Sequence, residues 1–128
     1  QNDALKFENL IICGTRGWVV PDREELSPED DKIYKREVIR LELTLKEAEK
    51  LRGEGDKLIC MMHYPPVNFR REDSEFSKLL EKYKVDAVVF GHLHGYKNAQ
   101  LEFIKGGVPY YLTSCDLTCN KLVEIREV

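Results

Sequence analysis

Val85-Asp86-Ala87-Val88-Val89-Phe90-Gly91-His92-Leu93-His94-Gly95 is the stretch on which the fold turns. Its first part is nearly continuous in apolar residues, the pattern of a strand covered on both faces. Glycines then flank a His-x-His pair, where the backbone can turn sharply and come close to a ligand. A second apolar run, Leu58-Ile59-Cys60-Met61-Met62, ends in the same way at His63. The chain has three histidines, so all of them follow expected buried strands. In open α/β sheets ligands gather at the C-terminal edge of the strands. Imidazole is the commonest side-chain ligand for transition metals. The expectation is a metal site at one sheet edge, built from His63, His92 and His94.

Working outward, the chain alternates strands and helices. Phe7 to Cys13 reads as a strand, and Gly14-Thr15-Arg16-Gly17-Trp18 as the turn or loop after it. Ser27 is a suitable N-cap, Pro28 suits the first helical position, and Asp30 favours the first turn. A long helix is expected from Pro28 to Arg52. Tyr34, Val38, Leu41, Leu45 and Ala48 recur at helical spacing as its apolar face. Lys57 to Met62 is the next strand. Asp73 or Ser74 caps a second helix reaching Tyr83, with Phe76, Leu79 and Leu80 inward. Val85 to Phe90 is a strand. Ala99 to Ile104 and Val108 to Thr113 form a hairpin about Gly106-Gly107, and Lys121 to Ile125 is a last strand. The order β-α-β-α-β followed by a β-meander specifies an α/β layered fold.

The 128 residues make one domain's worth of chain, 42% hydrophobic and 34% charged. The net charge of −3 argues against a nucleic-acid footprint, which needs clustered positive charge. No apolar stretch reaches the length of a membrane span. Of the four cysteines, Cys13 and Cys60 fall inside apolar runs. Cys115-x-x-x-Cys119 lacks the second pair a zinc site needs. That usage points to a reducing, cytoplasmic setting.

Three histidines alone suffice for a tetrahedral zinc site with one open position. Asp116, beyond the strand ending near Thr113, is a candidate carboxylate ligand. Asp86 lies at the opposite end of its strand from His92 and reads as a turn residue, as does Asp56 of Gly55-Asp56.

The strand leading into Gly91-His92-Leu93-His94, with His63-Tyr64-Pro65-Pro66 closing an upstream strand, resembles the C-terminal half of calcineurin-like metallophosphoesterases. The resemblance is carried by Ile59 to Pro66 and by Tyr83 to Gly95. It implies a four-layer αββα sandwich, of which residues 1–128 form one part: a mixed sheet with flanking helices. It implies hydrolysis of phosphomonoesters or phosphodiesters by a water activated between two divalent metals, manganese, iron or zinc. His63 and His92 would bind the second metal and His94 the first. The substrate would be a small phosphorylated molecule or a phosphoprotein.

The family's earlier motifs, Asp-x-His, Gly-Asp after a strand, and Gly-Asn-His, are not in this sequence. The chain opens at Gln1 without a methionine, and those motifs are expected upstream of it. No catalytic residue is then expected in this chain. Alone it should be inactive, hold at most one metal ion weakly, and self-associate through an uncovered sheet face. Arg16 is a candidate for substrate binding, with a structural or surface arginine as the alternative. Two other readings stay open: a non-catalytic module that kept the fold, and a mononuclear protein with a three-histidine site.

Overall fold

The computed structural model describes residues 4–21, 25–68, 70–91 and 102–112. His92, His94, Asp116, Cys115, Cys119 and the expected strand Lys121 to Ile125 lie outside the described residues. Two helices and six strands follow in the order β1 (Ala4–Phe7), β2 (Leu10–Thr15), α1 (Pro28–Leu51), β3 (Lys57–Met62), α2 (Glu75–Lys82), β4 (Ala87–Phe90), β5 (Glu102–Lys105) and β6 (Val108–Leu112). The strands form one mixed sheet in the spatial order β1-β2-β3-β4-β6-β5. The four inner strands are mutually parallel, and β1 and β5 run antiparallel at the edges. This is the expected α/β class.

The helices begin where their capping residues dictate. Ser27 accepts a hydrogen bond from Asp30 N at 3.1 Å, and Pro28 follows at the first helical position. Ser74 and Ser77 exchange side-chain-to-backbone bonds in a capping box at the start of α2. The crossovers β2-α1-β3 and β3-α2-β4 both join parallel neighbours and step in the same direction. Right-handed crossovers of that kind leave both helices on one face of the sheet. Leu41, Leu45 and Ala48 of α1 and Phe76 and Leu80 of α2 pack there against Ile11, Cys13, Leu58, Cys60, Val88 and Tyr110.

Three details differ from the sequence reading. Phe7 to Cys13 is not one strand. The chain reverses at Glu8-Asn9, with Glu8 at φ 55°, and Phe7 pairs with Leu10 across the turn. Gly14 and Thr15 continue β2 instead of leaving it. A Cβ on Gly14 would stand 2.2 Å from the Met61 carbonyl oxygen, so only glycine allows β2 and β3 this approach. The final strands are not a simple meander. The chain passes from β4 to the sheet edge as β5, and β6 returns between them through the Gly106-Gly107 turn. Both glycines have positive φ, 58° and 80°, as a tight two-residue hairpin requires.

The sheet's second face carries no helix among the described residues. Registered rows cross it: Leu5, Ile12, Ile59 and Ala87 in one, Gly14, Met61, Val89 and Tyr111 in the other. Leu5 is 73% exposed and Met61 51%. Apolar side chains of that size lose burial energy while they face water. Among the described residues, no helix is long and apolar enough to cross a membrane.

Candidate functional site

Parallel strands deliver their C-terminal ends to one side. β2 ends there at Thr15, β3 at Met62 and β4 at Phe90. The backbone ladder runs one residue further. Tyr64 N donates to Arg16 O at 3.0 Å, and Gly91 N donates to His63 O at 3.2 Å. Arg16, His63 and Gly91 therefore occupy neighbouring positions just beyond the strand ends. Gly91 directly precedes His92 in the chain, so the His-x-His segment departs from a point hydrogen-bonded to His63.

The His63 side chain is exposed at this edge. Its ring meets Tyr64 edge-on, with centroids 5.0 Å apart and planes at 89°. Tyr64 in turn lies 5.1 Å from Trp18, and the Arg16 guanidinium lies 4.9 Å over the Trp18 ring. Trp18 Nε1 donates to Asp30 Oδ1 at 3.2 Å, which ties the loop after β2 to the first turn of α1. Gly17, at φ 73°, makes the bend between Arg16 and Trp18. A Cβ there would come within 2.8 Å of Met62 Cε. Below His63, Pro65-Pro66 hold φ near the proline value and fix the loop's course. Pro66 is buried, and its carbonyl accepts a hydrogen bond from the Ser74 hydroxyl at the start of α2.

Glu37 is a feature that the sequence reading missed. Its side chain is fully buried on α1, yet it gathers three guanidinium groups onto one carboxylate oxygen. Arg40 lies at 3.0 Å, Arg16 at 3.2 Å and Arg36 at 3.6 Å. Thr15 donates to the other carboxylate oxygen at 3.4 Å. The signal was available: Glu37 stands four residues before Leu41, and Thr44 three after it, so both fall on the buried face. Thr44 accepts from Gly14 N at 3.4 Å. Arg16 is therefore held from below by α1 and from the side by Trp18, immediately beside His63.

The other candidate acids are structural. Asp86 Oδ2 accepts from Leu58 N and from Arg52 Nη2, both at 2.8 Å, at the opposite end of the sheet. Asp56 accepts from Gly53 N at 2.7 Å in a turn and pairs with Lys6. Both match the turn roles expected of them. Among the described residues, no group of three His, Cys, Asp or Glu side chains could hold a metal ion. His63 is the one expected ligand that the structure describes. Its imidazole, exposed at the sheet edge, is a donor suited to a transition-metal cation.

The family model for the calcineurin-like phosphoesterases matches residues 3–96. No curated protein and no solved structure matches the chain. The matched span runs from the edge strand β1 through His63 and into the Gly-His-x-His-Gly segment, and so contains every element that builds the sheet edge described above. The chain belongs to the calcineurin-like phosphoesterase family, a family of hydrolases that work with divalent metals.

Proposed function

We propose that this chain supplies His63, His92 and His94 to a two-metal centre that hydrolyses a phosphomonoester or phosphodiester. The observation that carries this reading is the bond from Gly91 N to His63 O, which sets the residue before His92 against the backbone of His63. His63 and His92 would hold one cation and His94 the other. Divalent cations held there would lower the pKa of a water and offset charge on phosphoryl oxygens. The described residues fix the approach: β3 delivers His63, β4 ends one residue before Gly91, and Pro65-Pro66 set the turn after His63.

The remaining ligands and the general acid come from a segment bearing Asp-x-His, Gly-Asp after a strand and Gly-Asn-His, an arrangement that this sequence lacks. That segment brings a second sheet, which covers Leu5, Ile12 and Met61 and completes a four-layer αββα sandwich. The exposure of those side chains supports this arrangement. The substrate is a small phosphorylated molecule or a phosphoprotein. The buried free thiols of Cys13 and Cys60, which are register partners on β2 and β3, suit a reducing compartment such as the cytoplasm.

The test is a Mn²⁺ titration by calorimetry on the protein carrying both segments, with hydrolysis of p-nitrophenyl phosphate and its bis ester followed in parallel. Alanine at His63, His92 or His94 should remove a bound Mn²⁺ and the activity with it. Full metal occupancy and full turnover in all three variants would refute the assignment.

A further inference from the structure

We infer that Arg16 is the oxyanion-binding group of this sheet edge, held ready by Glu37 and Trp18 to take a phosphate oxygen. The inference rests on the phosphoesterase reading and deepens it by naming what grips the substrate's phosphoryl group on this chain. Four observations converge. Arg16 follows the end of β2 and is tied through its carbonyl to Tyr64, the neighbour of His63. Its guanidinium is braced over the Trp18 ring at 4.9 Å and by Glu37 through Nη2 at 3.2 Å. The Glu37 carboxylate is shared by three guanidinium groups, those of Arg16, Arg36 and Arg40, so Arg16 does not hold it alone.

The fourth observation points at a ligand. Arg16 Nε is buried and finds no acceptor among the described residues. A buried donor on a charged group left unsatisfied is costly, and native structures pair nearly all such groups. A guanidinium presents forks of two N–H donors that bind phosphate through parallel hydrogen bonds. Glu37 engages Nη2 alone and the Arg16 side chain is 37% exposed, so donors remain for an arriving oxyanion. A purely structural arginine in this position would spend that donor on the protein.

Trp18 is the sole tryptophan of the chain, and the cation sits over its ring, so its emission reports the state of Arg16. The experiment is a titration of the protein with inorganic phosphate, with metals removed by chelator and ionic strength held constant with chloride. A saturable change in Trp18 emission is expected, weakened tenfold or more in Arg16→Gln and less in Arg16→Lys, which keeps charge but loses the fork. Circular dichroism of each variant confirms that the fold survives. The absence of a saturable change in the parent protein, or an unchanged midpoint in folded Arg16→Gln, overturns the inference. Because neither metal nor turnover enters the readout, the two proposals fail separately. Lost phosphate binding with intact Mn²⁺ binding removes this one alone. Lost Mn²⁺ binding with an intact phosphate titration removes the two-metal reading.

Discussion

Replacing Glu37 by leucine should destabilise the protein by about 2 kcal/mol, and the reason lies in what stays behind. The carboxylate is fully buried, and the nitrogens of Arg16, Arg36 and Arg40 all lie within 3.6 Å of Oε2. Its removal leaves three like charges converging on an apolar side chain. A fully buried group stripped of its partner costs about 3–5 kcal/mol. Here the three arginines are between 36% and 52% exposed, so they can swing towards water and recover part of that cost. Half-exposed ion pairs contribute about 0.5 kcal/mol each, and the Thr15 hydrogen bond about 1 kcal/mol. Relief of the carboxylate's own desolvation offsets some of the loss. Glu37→Gln keeps an oxygen towards the guanidiniums and a donor towards Thr15, and should cost about 1 kcal/mol or less. Urea denaturation measures both, as a fall in midpoint at constant slope. The deficit of Glu37→Leu should narrow in about 1 M salt, where exposed like charges are screened over a few ångströms. A Glu37→Leu variant as stable as the parent would mean that desolvation outweighs all three pairs, and would refute Glu37 as organiser of the cluster.

Three further outcomes follow from particular contacts. Stability should fall as pH rises above about 9, because the hydrogen bond with Cys13 and then burial push the Cys60 thiol up, and burial pushes the Tyr110 hydroxyl up. Between the unfolded and folded pKa values the folded state holds more protons, so the stabilisation is complete below the unfolded value and drains away above it. Urea midpoints across that range should fall less steeply in Cys60→Ala; an unchanged slope would clear the thiol. Gly106→Ala should cost about 1–2 kcal/mol from its φ of 58° alone, since left-handed backbone penalises any Cβ. Gly107→Ala, at φ 80°, should cost a similar amount by thermal unfolding, since the atoms nearest a Cβ on Gly106 are the movable end of Glu81. The 128-residue chain should self-associate through the face bearing Leu5 and Met61, and Met61→Glu should return it to a monomer by light scattering. A parent chain monomeric at every concentration would contradict this.

Much of this architecture could be read from the sequence because local and tertiary signals agreed. Ser27-Pro28 places the start of α1 for reasons internal to that turn. The β3 and β4 runs are apolar along their length because they lie inside the sheet. The turn at Glu8-Asn9 was hidden for the opposite reason. Phe7 and Leu10 are apolar on both sides of it, and neither turn residue is a glycine that would advertise a left-handed φ. The position of β6 depends on pairing with β4 across the sheet, which no local pattern records. His63 lies just beyond the end of β3, where the apolar run before it placed it, while His92 and His94 lie outside the described residues. Glu37 escaped because an acid in an acid-rich helix reads as solvated until its register with Leu41 is weighed.

The Glu37 cluster also says why this edge differs from an ordinary strand end. Burying a carboxylate under a sheet edge is expensive, and replacing such an ion cluster with apolar residues often leaves a protein as stable or more so. Stability alone is therefore a poor reason for Glu37, Arg16, Arg36 and Arg40 to converge. What the cluster gains is orientation. Glu37 holds Nη2, the Trp18 ring backs the guanidinium at 4.9 Å, and Nε is left without a partner among the described residues. A guanidinium already oriented loses little entropy when an oxyanion arrives, and a low-dielectric floor strengthens the contact. The same arrangement accounts for Thr15, whose hydroxyl turns towards Glu37 at the last position of β2. Glu37 and Trp18 together hold one cation just beyond the end of β2, on the residue whose carbonyl accepts from Tyr64 N.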